Sequence, residues 1–189
     1  MPNWCMNTLT VTGNAKDLET FVFANLGLPA KYPLQEWEKE LNPDYKEPTE
    51  LHFCFNALVP TPQSVIEIGY DAGGRLPEKA QSCEILDGYH WNIQNWGTKW
   101  DIYHDSIDPD TMGWHEGCTK ISFNFDTAWS PPEQWLRKVV KIFPSLIFAL
   151  HYEEPGAWVA GDMIGENGIL TDRPYSYEQC DQLFNSEED

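Results

Sequence analysis

"TKISFNFDTAWSPPEQWLRKVVKIFP" (residues 119–144) decides the fold. Its first nine residues alternate strictly. Ile121, Phe123 and Phe125 point one way, and Ser122, Asn124 and Asp126 the other, as in a strand with one buried face. A helix pattern follows at once. Ser130 reads as its N-cap, Pro131 as the first helical residue and Glu133 as the partner of a capping box. Leu136, Val139, Val140 and Phe143 form an apolar stripe, and Pro144 stops the helix.

Outward from this strand–helix unit, the same grammar recurs. "NTLTVTG" (7–13) alternates, with Leu9 and Val11 inward and Thr8, Thr10 and Thr12 outward. Asn14 then caps a helix whose apolar face is Leu18, Phe21, Val22 and Leu26, ended by Gly27 and Pro29. "LHFCFNAL" (51–58) alternates again and predicts a strand with Phe53 and Phe55 inward and His52, Cys54 and Asn56 outward. "LIFALHYEE" (146–154) and "AWVAGDMIG" (157–165) flank Pro155-Gly156 as a hairpin.

Between 60 and 118 lies a less regular insertion. Helices are expected at 63–70 and 77–96, a strand at "KWDIYHD" (99–105), and an acidic loop after it. Without the insertion the order is a βαββαβ ferredoxin-like plan with an extra C-terminal strand. It is an α+β fold with an antiparallel sheet and both helices on one face. The expected layout is one domain over 1–165 and an acidic tail over 166–189, with a short helix near 176–184.

Composition narrows the function. Thirty acids against twelve bases give a net charge of −18. Residues 151–189 carry ten acids and one base, half of that net charge in about a fifth of the chain. Such a surface repels phosphate backbones and disfavours direct nucleic-acid binding, while it attracts a basic partner. The strand phenylalanines fall on the helix side, so the base-stacking platform of RNA-binding versions of this fold is missing. No apolar run is long enough for a membrane span, and no signal peptide is visible, so the expected compartment is the cytoplasm. Five widely spaced cysteines without a C-x-x-C read as buried free thiols.

Catalytic signatures are absent: there is no G-x-S-x-G, P-loop, G-x-G-x-x-G or H-E-x-x-H. "DAGGR" (71–75) lacks the P-loop's lysine and reads as a loop. "HDSIDPDTMGWHE" (104–116) fits no EF-hand and reads as a solvated acidic loop. No cofactor is expected. Only the polar sheet face offers an acid/base or metal set, through His52, Asp126 and His151.

"NIQNWGTKWD" (92–101) packs two tryptophans around one glycine and reads mainly as a latch joining insertion to sheet, beside Trp4 and Trp129. Trp96, Lys99 and Trp100 are also its candidate recognition residues, because tryptophan is a common interface anchor.

"PNWCMNTLTVTG" (2–13), "NWGTKW" (95–100) and "FDTAWSPP" (125–132), in that order, resemble the YubB-like family of small phage and plasmid proteins. The resemblance spans roughly 1–165. It implies a ferredoxin-like domain and a mobile-element origin, and no defined activity. The stretch past 165 looks peculiar to this chain. Together these features give the expected function: an accessory protein in a bacterial host that binds and inhibits a nucleic-acid-handling defence complex by mimicking DNA. Its partner would be a host protein with a basic nucleic-acid-binding surface, met by Trp96, Lys99, Trp100, Glu153, Glu154, Asp162, Glu166, Asp172, Glu187, Glu188 and Asp189. The alternative is a small-ligand protein or enzyme on the open sheet face.

Overall fold

The centre of the protein is strand β1 (Trp4–Thr12), paired antiparallel on both sides. One neighbour is β4 (Lys120–Ala128), with Leu9 opposite Phe123; the other is β5 (Ile147–Glu154), with Leu9 opposite Leu150. Helix α5 (Glu133–Ile142) joins β4 to β5. This split crossover around β1 is the heart of the ferredoxin-like plan. β6 (Val159–Glu166) and β7 (Ile169–Pro174) extend the sheet to the order β4-β1-β5-β6-β7, antiparallel throughout. This computed structural model describes residues 3–32, 48–70, 87–102 and 106–185.

The alternation in sequence becomes two chemically distinct faces. Leu9, Val11, Ile121, Phe123, Phe125, Phe148 and Leu150 are buried on one side. Against them pack α1 (Ala15–Ala24), through Leu18, Phe21 and Val22, and α5, through Trp135, Leu136, Val139 and Val140. Phe21 meets Phe148 edge-on at 5.5 Å between centroids. Gly165 gives α5 its close approach to the sheet, since a Cβ there would collide with the Val140 side chain. Asn14 caps α1 as expected, accepting the Asp17 N–H at 3.0 Å.

Three expectations are corrected. The segment 51–58 does not join the main sheet. Only β3 (His52–Phe53) pairs as a strand, with β2 (Leu26–Gly27) in a separate two-stranded ribbon, and after Cys54 the chain turns into α2 (Phe55–Leu58). The cause is remote. Asp101 accepts the N–H of Phe55 at 2.8 Å and of Asn56 at 3.1 Å, capping a helix at this point. Phe53 and Phe55 are nonetheless fully buried. The fourth strand is therefore supplied by β6, beyond β5.

Ser130 is not the N-cap of α5; Pro132 occupies that position, and the Ser130 hydroxyl donates to the Gly97 carbonyl at 2.6 Å. The described part of "KWDIYHD", 99–102, forms no strand.

In the insertion, α3 (Gln63–Ile68) and α4 (Gly88–Asn95) match part of the expected helices; 71–86, including "DAGGR" and Cys83, lie outside the described residues. The stretch read as an acidic tail builds β7 and α6 (Tyr177–Asn185). Cys5, Cys54, Cys118 and Cys180 are buried free thiols, and burial pushes Cys5 and Cys54 up to about 12. Among the described residues, no helix is long and apolar enough to cross a membrane.

Candidate functional site

The face of the sheet without α1 and α5 carries the polar residues of each strand. Thr8 donates to Asn124 and Thr10 bonds Ser122, both at 2.9 Å, making rungs between β1 and β4. Next to them lies a linear network. His151 on β5 places Nδ1 2.9 Å from Asp162 Oδ1 on β6, and Nε2 2.8 Å from Glu153 Oε1. Tyr175 donates its hydroxyl to the other Asp162 oxygen at 2.9 Å.

Strand register produces this group. His151 and Asp162 are directly opposed, and Glu153 is two residues on and so faces the same way. An imidazole between two carboxylate acceptors satisfies both only as an imidazolium. Burial opposes the charge, but hydrogen bonds and charge from Glu153 and Asp162 outweigh it and hold the His151 pKa above its ordinary value. The hydrogen bond to Asp162 raises Tyr175 in turn.

His52, Asp126 and His151 do not converge. His52 sits in the β2–β3 ribbon, 3.7 Å from Glu50. Asp126 and His151 lie on strands either side of β1, roughly 10 Å apart at the usual strand spacing. Both ring nitrogens of His151 are already engaged, so the ring offers neither a free base nor a metal-ligand nitrogen. Among the described residues no group of three or more His, Cys, Asp or Glu is placed to hold a metal ion.

The acids expected to meet a partner separate by face. Glu153, Asp162 and Glu166 belong to the open face, with Asp126. Glu154 does not: it is 2% exposed and turned inward, accepting the Ala157 N–H in the β5–β6 turn. Asp172 lies on the opposite side of β7, bonded to Tyr152 Oη at 3.2 Å. Glu187, Glu188 and Asp189 lie outside the described residues. Lys120 stands at the far end of the face and Arg173 on its outer edge.

At the end where β1 begins, the acidic face meets tryptophan. Trp96 is not part of this surface. It is 1% exposed, donates Nε1 to the Val59 carbonyl at 2.9 Å, and accepts the Trp135 N–H on its own carbonyl at 3.1 Å. Asn92 binds the Lys99 carbonyl at 2.8 Å, and Thr98 the Ala128 carbonyl at 3.0 Å. Gly97, at φ +91, leaves no room for a Cβ beside the Glu133 N–H. These bonds make the stretch the expected latch.

Trp100 projects beyond the latch, its centroid 6.0 Å from that of Trp4. Lys99 Nζ lies 4.2 Å from the Trp100 centroid and 5.0 Å from that of Trp129. Trp129 is 64% exposed, and its φ of +77 costs about 1–3 kcal/mol in a bulky residue. The sequence offers Trp100 and Lys99 as recognition residues, places Trp129 only beside the latch, and does not single out Tyr175. Alternation could have separated Glu153 from Glu154; nothing in the sequence announces the Trp129 backbone.

Residues 99–189 match the family model of the ferredoxin-like domain in Api92-like protein. The matched region runs from β4 through α6 and so includes the segment past 165. The crystal structure of a protein api92 from Yersinia pseudotuberculosis is similar in fold. Its TM-score is 0.59 at 12% identity, covering 94% of this chain and 98% of that one. At that identity the likeness speaks for the fold alone. No curated protein matches the chain.

Proposed function

We propose that this is a binding protein whose open sheet face docks on the basic, nucleic-acid-binding surface of a host complex and keeps nucleic acid off it. The observation that carries this reading is the joining of two surfaces at one end of the sheet. Asp126 and Glu153 flank Met6, two residues along the open face from Trp4, with Asp162 further along the same face, and Trp4, Trp100 and Trp129 are exposed at the end where β1 begins. Tryptophan anchors with a charged surround are what a protein interface needs, and the net charge of −18 steers a basic partner in. The resemblance to phage and plasmid proteins favours a bacterial defence complex as that partner. With Glu154 and Asp172 turned away, the DNA-like element contracts to Glu153, Asp162 and Glu166 together with Asp126.

A tagged pull-down from nuclease-treated bacterial lysate tests this, washed at low and high salt. A DNA- or RNA-handling complex should be retained at low salt and released at high salt. Glu153→Lys with Asp162→Lys should lose it, while Glu19→Lys, on α1 against the opposite side of the sheet, should keep it. Equal retention by both variants removes the reading.

The enzyme or ligand alternative has lost its residue set, because His52, Asp126 and His151 stand apart.

A further inference from the structure

The proposed docking face contains a feature that packing alone does not explain. Trp129 is held in the left-handed region with 64% of its surface exposed, its N–H fixed to the Asn3 carbonyl at 3.0 Å. A bulky side chain kept in a strained conformation while giving little to the core points to a task at the surface. Beside it, Lys99 lies over both indoles, and among the described residues no carboxylate forms a salt bridge with it. In a chain with thirty acids and twelve bases, a cation held by two rings marks those rings as a cation site. The rings are Trp100 and Trp129. Asp126 and Glu153 flank Met6 in register, two residues along the same face from Trp4.

We propose that Trp100 and Trp129 form a clamp for an arginine side chain of the basic partner, with Lys99 as an internal occupant that the arginine displaces. This rests on the docking reading above and specifies what enters. Arginine fits better than lysine for two reasons. A guanidinium is planar and weakly hydrated, so it stacks on indole faces that an ammonium meets only as a point charge. Its remaining N–H groups also fan out in a fixed fork that suits carboxylate acceptors, and the acids of the open face begin two residues along from Trp4, at Asp126 and Glu153. Lys99 then sets a threshold: a partner must supply a cation that binds the rings better than the tethered one.

The test is a tryptophan-fluorescence titration of the full chain with three peptides: alternating Arg–Gly, Lys–Gly and citrulline–Gly. The Arg–Gly peptide should bind several-fold more tightly than Lys–Gly, and citrulline–Gly should not bind. Trp129→Leu, which keeps apolar bulk but no ring, should weaken Arg–Gly binding about tenfold and erase the preference for arginine. Trp129→Gly, which relieves the backbone, should do the same in a folded protein. Lys99→Gln should strengthen Arg–Gly binding, and by more than Lys120→Gln, which only removes a charge from the same face. Equal affinity for Arg–Gly and Lys–Gly, or a preference that survives in both Trp129 variants, overturns the clamp. If that peptide binding is still lost in the Glu153→Lys, Asp162→Lys protein, the docking face stands without the clamp. Failure of every peptide to bind overturns both.

Discussion

Nδ1 of His151 and Oδ1 of Asp162 lie 2.9 Å apart across the β5–β6 pair, and the opposite ring nitrogen is taken by Glu153. Both bonds hold together only while the ring is protonated, and a neutral ring keeps one of them. The folded-state pKa of His151 is above its unfolded value, so the network contributes stability fully below the unfolded pKa, and that contribution is lost as pH rises through the folded pKa. An NMR titration of the His151 ring should show a midpoint above about 6.5. The thermal midpoint should fall over the same pH window, and His151→Gln should flatten that fall. A ring midpoint at or below the ordinary value contradicts the imidazolium assignment.

Adjacent glutamates should behave oppositely. Glu154 is buried in the β5–β6 turn and Glu153 faces out. Glu154→Ala should destabilise by about 0.5–2 kcal/mol, through loss of the side-chain cap on the Ala157 N–H, and should leave partner binding intact. Glu153→Ala should change stability by under about 1 kcal/mol, as partly exposed pairs do, and weaken binding in a salt-dependent way. Chemical denaturation and the pull-down, run on both variants, read the two effects separately.

The tryptophans divide in the same manner. Trp96→Ala removes a fully buried ring and strands the Val59 carbonyl, at a cost of about 3–5 kcal/mol. Trp129→Gly loses some indole contact but sheds left-handed strain, so its stability should stay within about 1 kcal/mol of the parent. Urea melts of the two variants test this contrast, and a Trp129→Gly loss as large as that of Trp96→Ala would contradict the reading of its backbone.

Asp101 is the remote switch between strand and helix at 51–58. Asp101→Ala should cost about 1–2 kcal/mol, through loss of the caps on Phe55 and Asn56. Hydrogen exchange should quicken at those two amides before it does in the main sheet.

These cases show how far the sequence could be read. β1, β4 and β5 were legible because each buries one face, so period-two alternation is enforced residue by residue. At 51–58 the same alternation misleads. Phe53 and Phe55 reach the core either way, and the arbiter is a carboxylate 46 residues on in Phe55's case. Trp135 lies beside the stripe that the spacing picks out, yet it is fully buried against Phe53 and Phe55. At the site, His151 and Asp162 were each recognised, but their meeting is set by hairpin register. Sequence places Trp129 near the latch but carries no sign of its exposure or strain, since both arise where β4 breaks toward α5.

The decisive measurement is displacement of nucleic acid from the complex captured in the pull-down. Labelled DNA or RNA bound to that complex should be released by the wild-type protein in a concentration- and salt-dependent manner. The Glu153→Lys, Asp162→Lys protein should release none. Release by both proteins alike, or simultaneous binding of protein and nucleic acid to the complex, would contradict a docking face that takes the place of nucleic acid.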